Sequence, residues 1–327
     1  MERKVMQVGK SSLVVTLPRA WTKKANLVKG ASVSVEETPS GALLVKPATV
    51  GQKKIKETII DISRYQIIDL EKLIVARYLS GADEILLFSA TPMSLETVEA
   101  TKKIIRRFSG TEIIETSTKR IVIRDMIGSQ PVPMTKLLNR LDNMTRNYFD
   151  GLNTGLMSAN PDEFRALSGF YESDKLYLLL LKKLILASKY TDVAISLKIT
   201  LGQAVVYTLV VKNLKEILEE LESLISVFLG GTVLSTDHAQ VIAGFLKRAS
   251  EDYVNIMRAM YKDKEELILE AIRDIDTLLE EVEEFDTKVD YFEPELQQPI
   301  EDALFSIKTI LRNTKANGEL LLALSSE

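Results

Sequence analysis

Cysteine is absent from this chain of 327 residues, and histidine occurs once, at His238. Those absences remove disulfides, thiol catalysis, thiolate-bound zinc and most histidine general-base schemes. The lone histidine reads as an ordinary helix-surface residue. No stretch of about 18 apolar residues runs free of charge, so no membrane span is expected. The longest candidate, Leu176 to Leu186, is interrupted by Lys182 and Lys183. Met1-Glu2-Arg3-Lys4 lacks the apolar core of a signal peptide, which makes the cytoplasm the expected location. No glycine-rich phosphate loop follows Ser11 and Ser12, which read as turn residues. With no nucleophile–base pair and no cofactor loop in view, neither an enzyme nor a cofactor is expected.

What is present is a charge asymmetry. The net charge is −4, yet residues 1–48 hold eight Lys/Arg against three Asp/Glu. Residues 49–128 hold thirteen against eleven, and residues 129–327 hold twenty-one against thirty-two. A basic head on an acidic body reads as an anion-binding tip, because a field of one sign concentrates counter-charged partners.

The head, residues 1–48, reads as two hairpins around a short helix. Lys4 to Val8 and Leu13 to Leu17 flank Gly9, and Pro18 opens a helix that Val28-Lys29-Gly30 closes. Ala31 to Glu36 and Ala42 to Lys46 flank Thr38-Pro39-Ser40-Gly41, and Pro47 ends the unit. So small a unit cannot bury a core alone, so a second copy is expected to complete it. Residues 53–127 alternate strand and helix as βαβαββ, which predicts a small α/β sandwich. Strands are expected at Ile55 to Ile62 and Glu84 to Ser89, helices at Tyr65 to Leu79 and Ser94 to Phe108, and a hairpin at Thr111 to Asp125.

Residues 131–327 read as a helical domain, helical almost without break from Met134 onward, with apolar residues at three and four spacing. The pattern predicts helices near 134–158, 161–188, 191–228, 236–261, 263–290 and 295–323. If unbroken, the third would be about 50 Å long. Four local matches suggest two tandem three-helix units, about 134–229 and 236–323. Tyr148 matches Tyr253, and the connector at 159–164 matches that at 262–267. Glu172-Ser-Asp174-Lys-Leu176 matches Asp274-Ile-Asp276-Thr-Leu278, and Leu214 to Leu218 matches Ile307 to Leu311.

The head resembles the SpoVT/AbrB swapped-hairpin family. The resemblance lies in Arg3-Lys4-Val5, Val8-Gly9-Lys10-Ser11, Val15-Thr16-Leu17-Pro18-Arg19 and Leu27-Val28-Lys29-Gly30. The paired three-helix units look like a PhoU domain, most closely at Glu172-Ser-Asp174-Lys-Leu-Tyr177. Together they resemble the archaeal PhoU-like phosphate uptake regulators. That resemblance implies a dimeric DNA-binding transcription regulator linked to phosphate homeostasis. DNA, a second copy and a phosphate transporter component are its implied partners. PhoU domains often carry Glu/Asp-x-x-x-Asp pairs on facing helices to hold a metal cluster. Here Phe170 and Ile272 precede Asp174 and Asp276 by four. Lys215 precedes Glu219, and Lys308 precedes Arg312. Glu270 and Asp274 have the spacing without matching partners. No multinuclear metal site is therefore expected.

The candidate DNA contacts are Arg3, Lys4, Lys10, Arg19, Lys23 and Lys24, with Lys10 and Arg19 nearest the DNA axis. The bland alternative is a solvated basic surface or an antitoxin-like partner interface. Trp21 reads as the anchor of a small dimer core. Glu172/Asp174, Asp274/Asp276 and the run Glu280, Glu281, Glu283 and Glu284 read as solvated acidic faces. The rival function is a PhoU-type adaptor that does not bind DNA, with the head as a dimerisation clip.

Overall fold

A computed structural model describes residues 2–38, 41–48, 55–127, 132–158, 161–167, 171–229, 236–262 and 265–325. The chain divides into two compact units, Met1–Ile55 and Lys56–Glu327. The small β head, a small sheet and a helical C-terminal region follow one another as the sequence predicts.

In the first unit, β1 (Met6–Val8) and β2 (Ser12–Val14) form an antiparallel hairpin with Val8 opposite Ser12. Gly9 takes a φ of +71°, which the tight reversal requires and a side chain resists. Helix α1 (Arg19–Lys24) follows Pro18. It ends earlier than Val28-Lys29-Gly30, because Asn26 turns left-handed at φ +51° and Leu27 N–H donates to the Thr22 carbonyl. Asparagine tolerates that conformation, so the helix stops without a glycine. Strands β3 (Val33–Glu37) and β4 (Leu43–Pro47) pair antiparallel, with Pro47 inside the ladder opposite Val33. Pro39 and Ser40 of the predicted turn lie outside the described residues.

In the second unit, β5 (Glu57–Asp61), β6 (Glu84–Phe88), β7 (Thr111–Thr116) and β8 (Arg120–Asp125) form one sheet in the order β5-β6-β8-β7. Strands β5 and β6 run parallel, joined through α2 (Ile67–Leu79), and the remaining pairs are antiparallel. Helix α3 (Leu95–Ile105) begins at Ser94, whose side chain accepts from the Thr97 N–H. Alternate residues Ile85 and Leu87, and Ile121 and Ile123, bury against Leu70, Ile74 and Ile104.

The helices are α4 (Met134–Ser158), α5 (Pro161–Leu167), α6 (Tyr171–Lys189), α7 (Thr191–Leu197), α8 (Leu201–Leu229), α9 (Thr236–Lys262), α10 (Glu265–Asp286) and α11 (Pro294–Ser325). Within the helix expected over 161–188, residues 168–170 lie outside the described residues. The helix expected over 191–228 is two helices, and its break has a visible cause. Lys198 turns left-handed at φ +60°. Thr200 and Gln203 then form a reciprocal cap, each backbone N–H donating to the other's side-chain oxygen. Helix α8 therefore spans 29 residues, about 44 Å rather than 50 Å. One large core joins α4, α6, α8, α9, α10 and α11. Helices α8 and α11 run antiparallel, with Asn213 donating to Asn317 and Ser306 to Glu220 across the seam. No single helix among the described residues is long and apolar enough to cross a membrane. The pair α7 and α8 passes that test only jointly, across a 66° bend.

Candidate nucleic-acid interface

In the first unit, no described residue from 2 to 48 is buried. Leu13, Val28 and Leu43 are 73%, 76% and 70% exposed. Two-stranded hairpins are at best marginal in water without a packed face. Trp21 on α1 is only half-covered.

All six candidate cations are exposed. Arg3 and Lys4 precede β1, and Arg3 donates to the Thr16 hydroxyl at 3.4 Å. Lys10 sits at the β1–β2 turn, where Gln7 donates to its carbonyl at 3.1 Å. Arg19 opens α1, while Lys23 and Lys24 close it, where the helix dipole favours cations. Thr22 ties the helix start to its middle by donating to the Arg19 carbonyl at 3.0 Å. Among the described residues, no ion pair engages Lys4, Lys10, Arg19, Lys23 or Lys24, whereas Lys46 is held by Glu36 at 3.1 Å.

The second unit contains groups that the sequence reading passed over. Arg107, just beyond α3, binds Glu71 on α2 and Asp174 on α6. Asp174 also takes the Lys215 ammonium from α8 at 2.8 Å, and Lys215 lies 3.4 Å from Glu219. Burial pushes the Asp174 carboxyl up, but Lys215 and Arg107 outweigh it and hold it below the usual range. Asp174 is thus a paired, half-buried group rather than part of a solvated face. Glu172 is bound by Lys175 and Arg140, and Asp276 by Lys315. The acidic run on α10 is engaged as well: Glu281 with Arg248, Glu283 with Arg312 and Glu284 with Lys288. Further along α6, Lys182 lies 2.7 Å from Asp125 and 4.1 Å from the centroid of the Tyr78 ring. The signal for this last contact was legible, since Lys182 and Lys183 are charges placed inside an apolar run.

These residues do not fit a PhoU-type metal cluster. At the motif position before Glu219 stands the Lys215 ammonium, already neutralising Asp174. Phe170 lies outside the described residues. Among the described residues, no three His, Cys, Asp or Glu side chains group to hold a metal ion.

Residues 6–53 match a family model described as antidote-toxin recognition MazE, bacterial antitoxin. The N-terminal segment is thus similar to that antitoxin family over residues that include the strand hairpin. Comparison of the chain with curated proteins and with solved structures returns no match.

Proposed function

We propose that this chain is a dimeric DNA-binding transcription regulator linked to phosphate uptake and homeostasis. Residues 1–48 are the DNA-binding head, and residues 53–127 form a small α/β domain. Residues 131–327 are a PhoU-like sensor or partner-docking domain of two three-helix units. The carrying observation is the head itself, similar to the MazE antitoxin family, with no buried residue among those described and a set of exposed cations. A second copy would cover its exposed valines and leucines, and burial of apolar surface drives such association. Pairing would bring two copies of Arg3, Lys4, Lys10, Arg19, Lys23 and Lys24 together. The phosphate link rests on the PhoU resemblance of the helical region. By it, an effector or a transporter component bound there shifts the availability of the head.

The family description favours a second reading, in which the head's apolar strands meet a protein partner rather than DNA. A salt titration on a footprinted site separates the two. If about half of twelve cations touch phosphates, log affinity against log salt should fall with a slope of roughly −5, at about −0.9 per phosphate. Lys10→Ala and Arg19→Ala should each weaken binding, twice over in a dimer. Lys23→Ala and Lys24→Ala should weaken all sequences alike and flatten the slope. A flat salt dependence, or unchanged binding by the Lys10/Arg19 double variant, would remove the head from DNA recognition.

A further inference from the structure

The sheet of the second unit has two edge strands, β5 and β7. An open edge offers unpaired backbone groups to any strand that can lie beside it, and proteins blunt such edges with bulges and charges. Strand β7 is blunted in this way. Its register slips between Ile113 and Glu115, and Glu112 and Glu115 stand exposed along it. Strand β5 runs in unbroken register with β6 over all five of its residues. It carries neither lysine nor proline.

The sheet face turned away from α2 and α3 divides in the same way. Alternation puts Ile60, Ile85, Leu87, Ile121 and Ile123 under the helices, so Ile59, Leu86, Phe88 and Val122 belong to the other face. On the β8 side, Arg124 pairs with Glu84 and Arg120 with Glu115, flanking Val122, which is buried. On the β5 side, Ile59 is 61% exposed and Phe88 43%. The open apolar surface therefore borders the edge that has no bulge.

We propose that β5 pairs antiparallel with β5 of a second copy, centred on Ile59, so that two four-stranded sheets become one of eight strands. The pairing rests on the dimeric function proposed for the chain. Only residues 48–56 separate β4 from β5, a reach of at most about 35 Å. A second copy joined at the head is thus the strand donor at the highest effective concentration. Centring on Ile59 sets the row of Ile59 and Leu86 beside the same row of the partner, and such cross-strand pairs stabilise a sheet. It also sets Glu57 opposite the partner's Asp61. Arg64 lies 2.9 Å from Asp61 with its own side chain 76% exposed, so it can bind both carboxylates across the seam.

The chain has no cysteine, so one introduced thiol reports one position. The test oxidises the full chain carrying Ile59→Cys with copper phenanthroline. Ile114→Cys on β7 and Ile68→Cys on α2 are the exposed controls, and light scattering reads the oligomeric state of each sample. Facing residues of an antiparallel pair have Cα atoms about 4.5–5.5 Å apart, which a disulfide can span. Ile59→Cys should therefore give linked dimer roughly tenfold or more faster than either control. In the Ile59→Cys chain, Arg64→Glu should slow linkage by leaving like charges opposite, and adding Glu57→Arg should restore it. That restoration separates a charge across the seam from damage to the fold. A dimer in which Ile59→Cys links no faster than the controls overturns the pairing and leaves the dimeric reading standing. A monomer overturns both. Linkage unchanged by Arg64→Glu, or not restored by Glu57→Arg, would overturn the pairing as well.

Discussion

Lys182→Met removes the cation of the most buried ion pair among the described residues. Lys182 and Asp125 side chains are 6% and 8% exposed and lie 2.7 Å apart, and the same ammonium sits over the Tyr78 ring. Methionine nearly matches the lysine stem in volume, so packing is kept while Asp125 loses its counter-ion. Stranding one partner of a buried pair costs about 3–5 kcal/mol, and the lost cation–π contact adds about 1 kcal/mol. Two features pull this down: Asp125 still accepts from the Ile127 N–H at 3.2 Å and still feels Lys183. The expected loss is therefore about 3 kcal/mol. Asp125→Asn should cost a similar amount by leaving the ammonium buried. The double variant should lose far less than the sum, because burying two neutral groups lacks the penalty of one unpaired charge. The assay is urea denaturation of the full chain and the three variants, followed by tyrosine fluorescence and far-ultraviolet circular dichroism together, so that separate melting of parts is visible. A loss under about 1 kcal/mol in Lys182→Met, or strict additivity in the double variant, would refute the electrostatic account of this contact.

Gly155→Ala places a Cβ 2.5 Å from the Phe164 ring, which stacks on Phe228 at 5.6 Å. It should cost about 1–3 kcal/mol and expose the α5 region to limited proteolysis. Asp252 gives a signed pH prediction in metal-free buffer. Its folded-state carboxyl is raised to about 7 from 3.8, with Asp274, Glu251 and Arg248 facing it. Below the lower value the group is protonated in both states and contributes no pH slope. Between the two values the unfolded chain ionises first, so stability falls as pH rises, and above the higher value the penalty is complete. Asp252→Asn should thus raise stability above neutrality by on the order of 2–4 kcal/mol and leave it unchanged near pH 4, as measured by urea midpoints across pH.

The parts of this fold that sequence revealed are those set by local rules. Gly9 marks its hairpin because a positive φ is needed there. The alternation in Ile85 and Leu87 marks a strand buried on one face. The βαβαββ order followed from the change of hydrophobic period between two and 3.6. The break at Lys198 was missed because lysine gives no left-handed signal, although Thr200 and Gln203 spell a capping box that could have located it. The head's cations were legible as composition, whereas Arg107 was not. Its partner Asp174 lies 67 positions away, and no spacing rule spans a contact between separate layers. Asp174 read as solvated for the same reason.

Helix α6 is the element through which the sheet and the helical core are joined. Leu176, Leu180 and Leu184 recur every four residues and bury in the helical core. On another face Asp174, Leu178 and Lys182 also recur every four. Leu178 belongs to the sheet's core, while Asp174 and Lys182 are clamped to Arg107 and Asp125 two turns apart. An offset of two residues, about 200° around the helix, puts these two stripes on opposite faces. The helix therefore cannot slide by a turn without unseating leucines on one side and stranding a carboxylate and an ammonium on the other. Packed interfaces respond to such displacement by discrete shifts rather than by gradual yielding. A ligand or partner that repositions α6 in the helical core must carry the end of β8 at Asp125 and the α3 end at Arg107 with it.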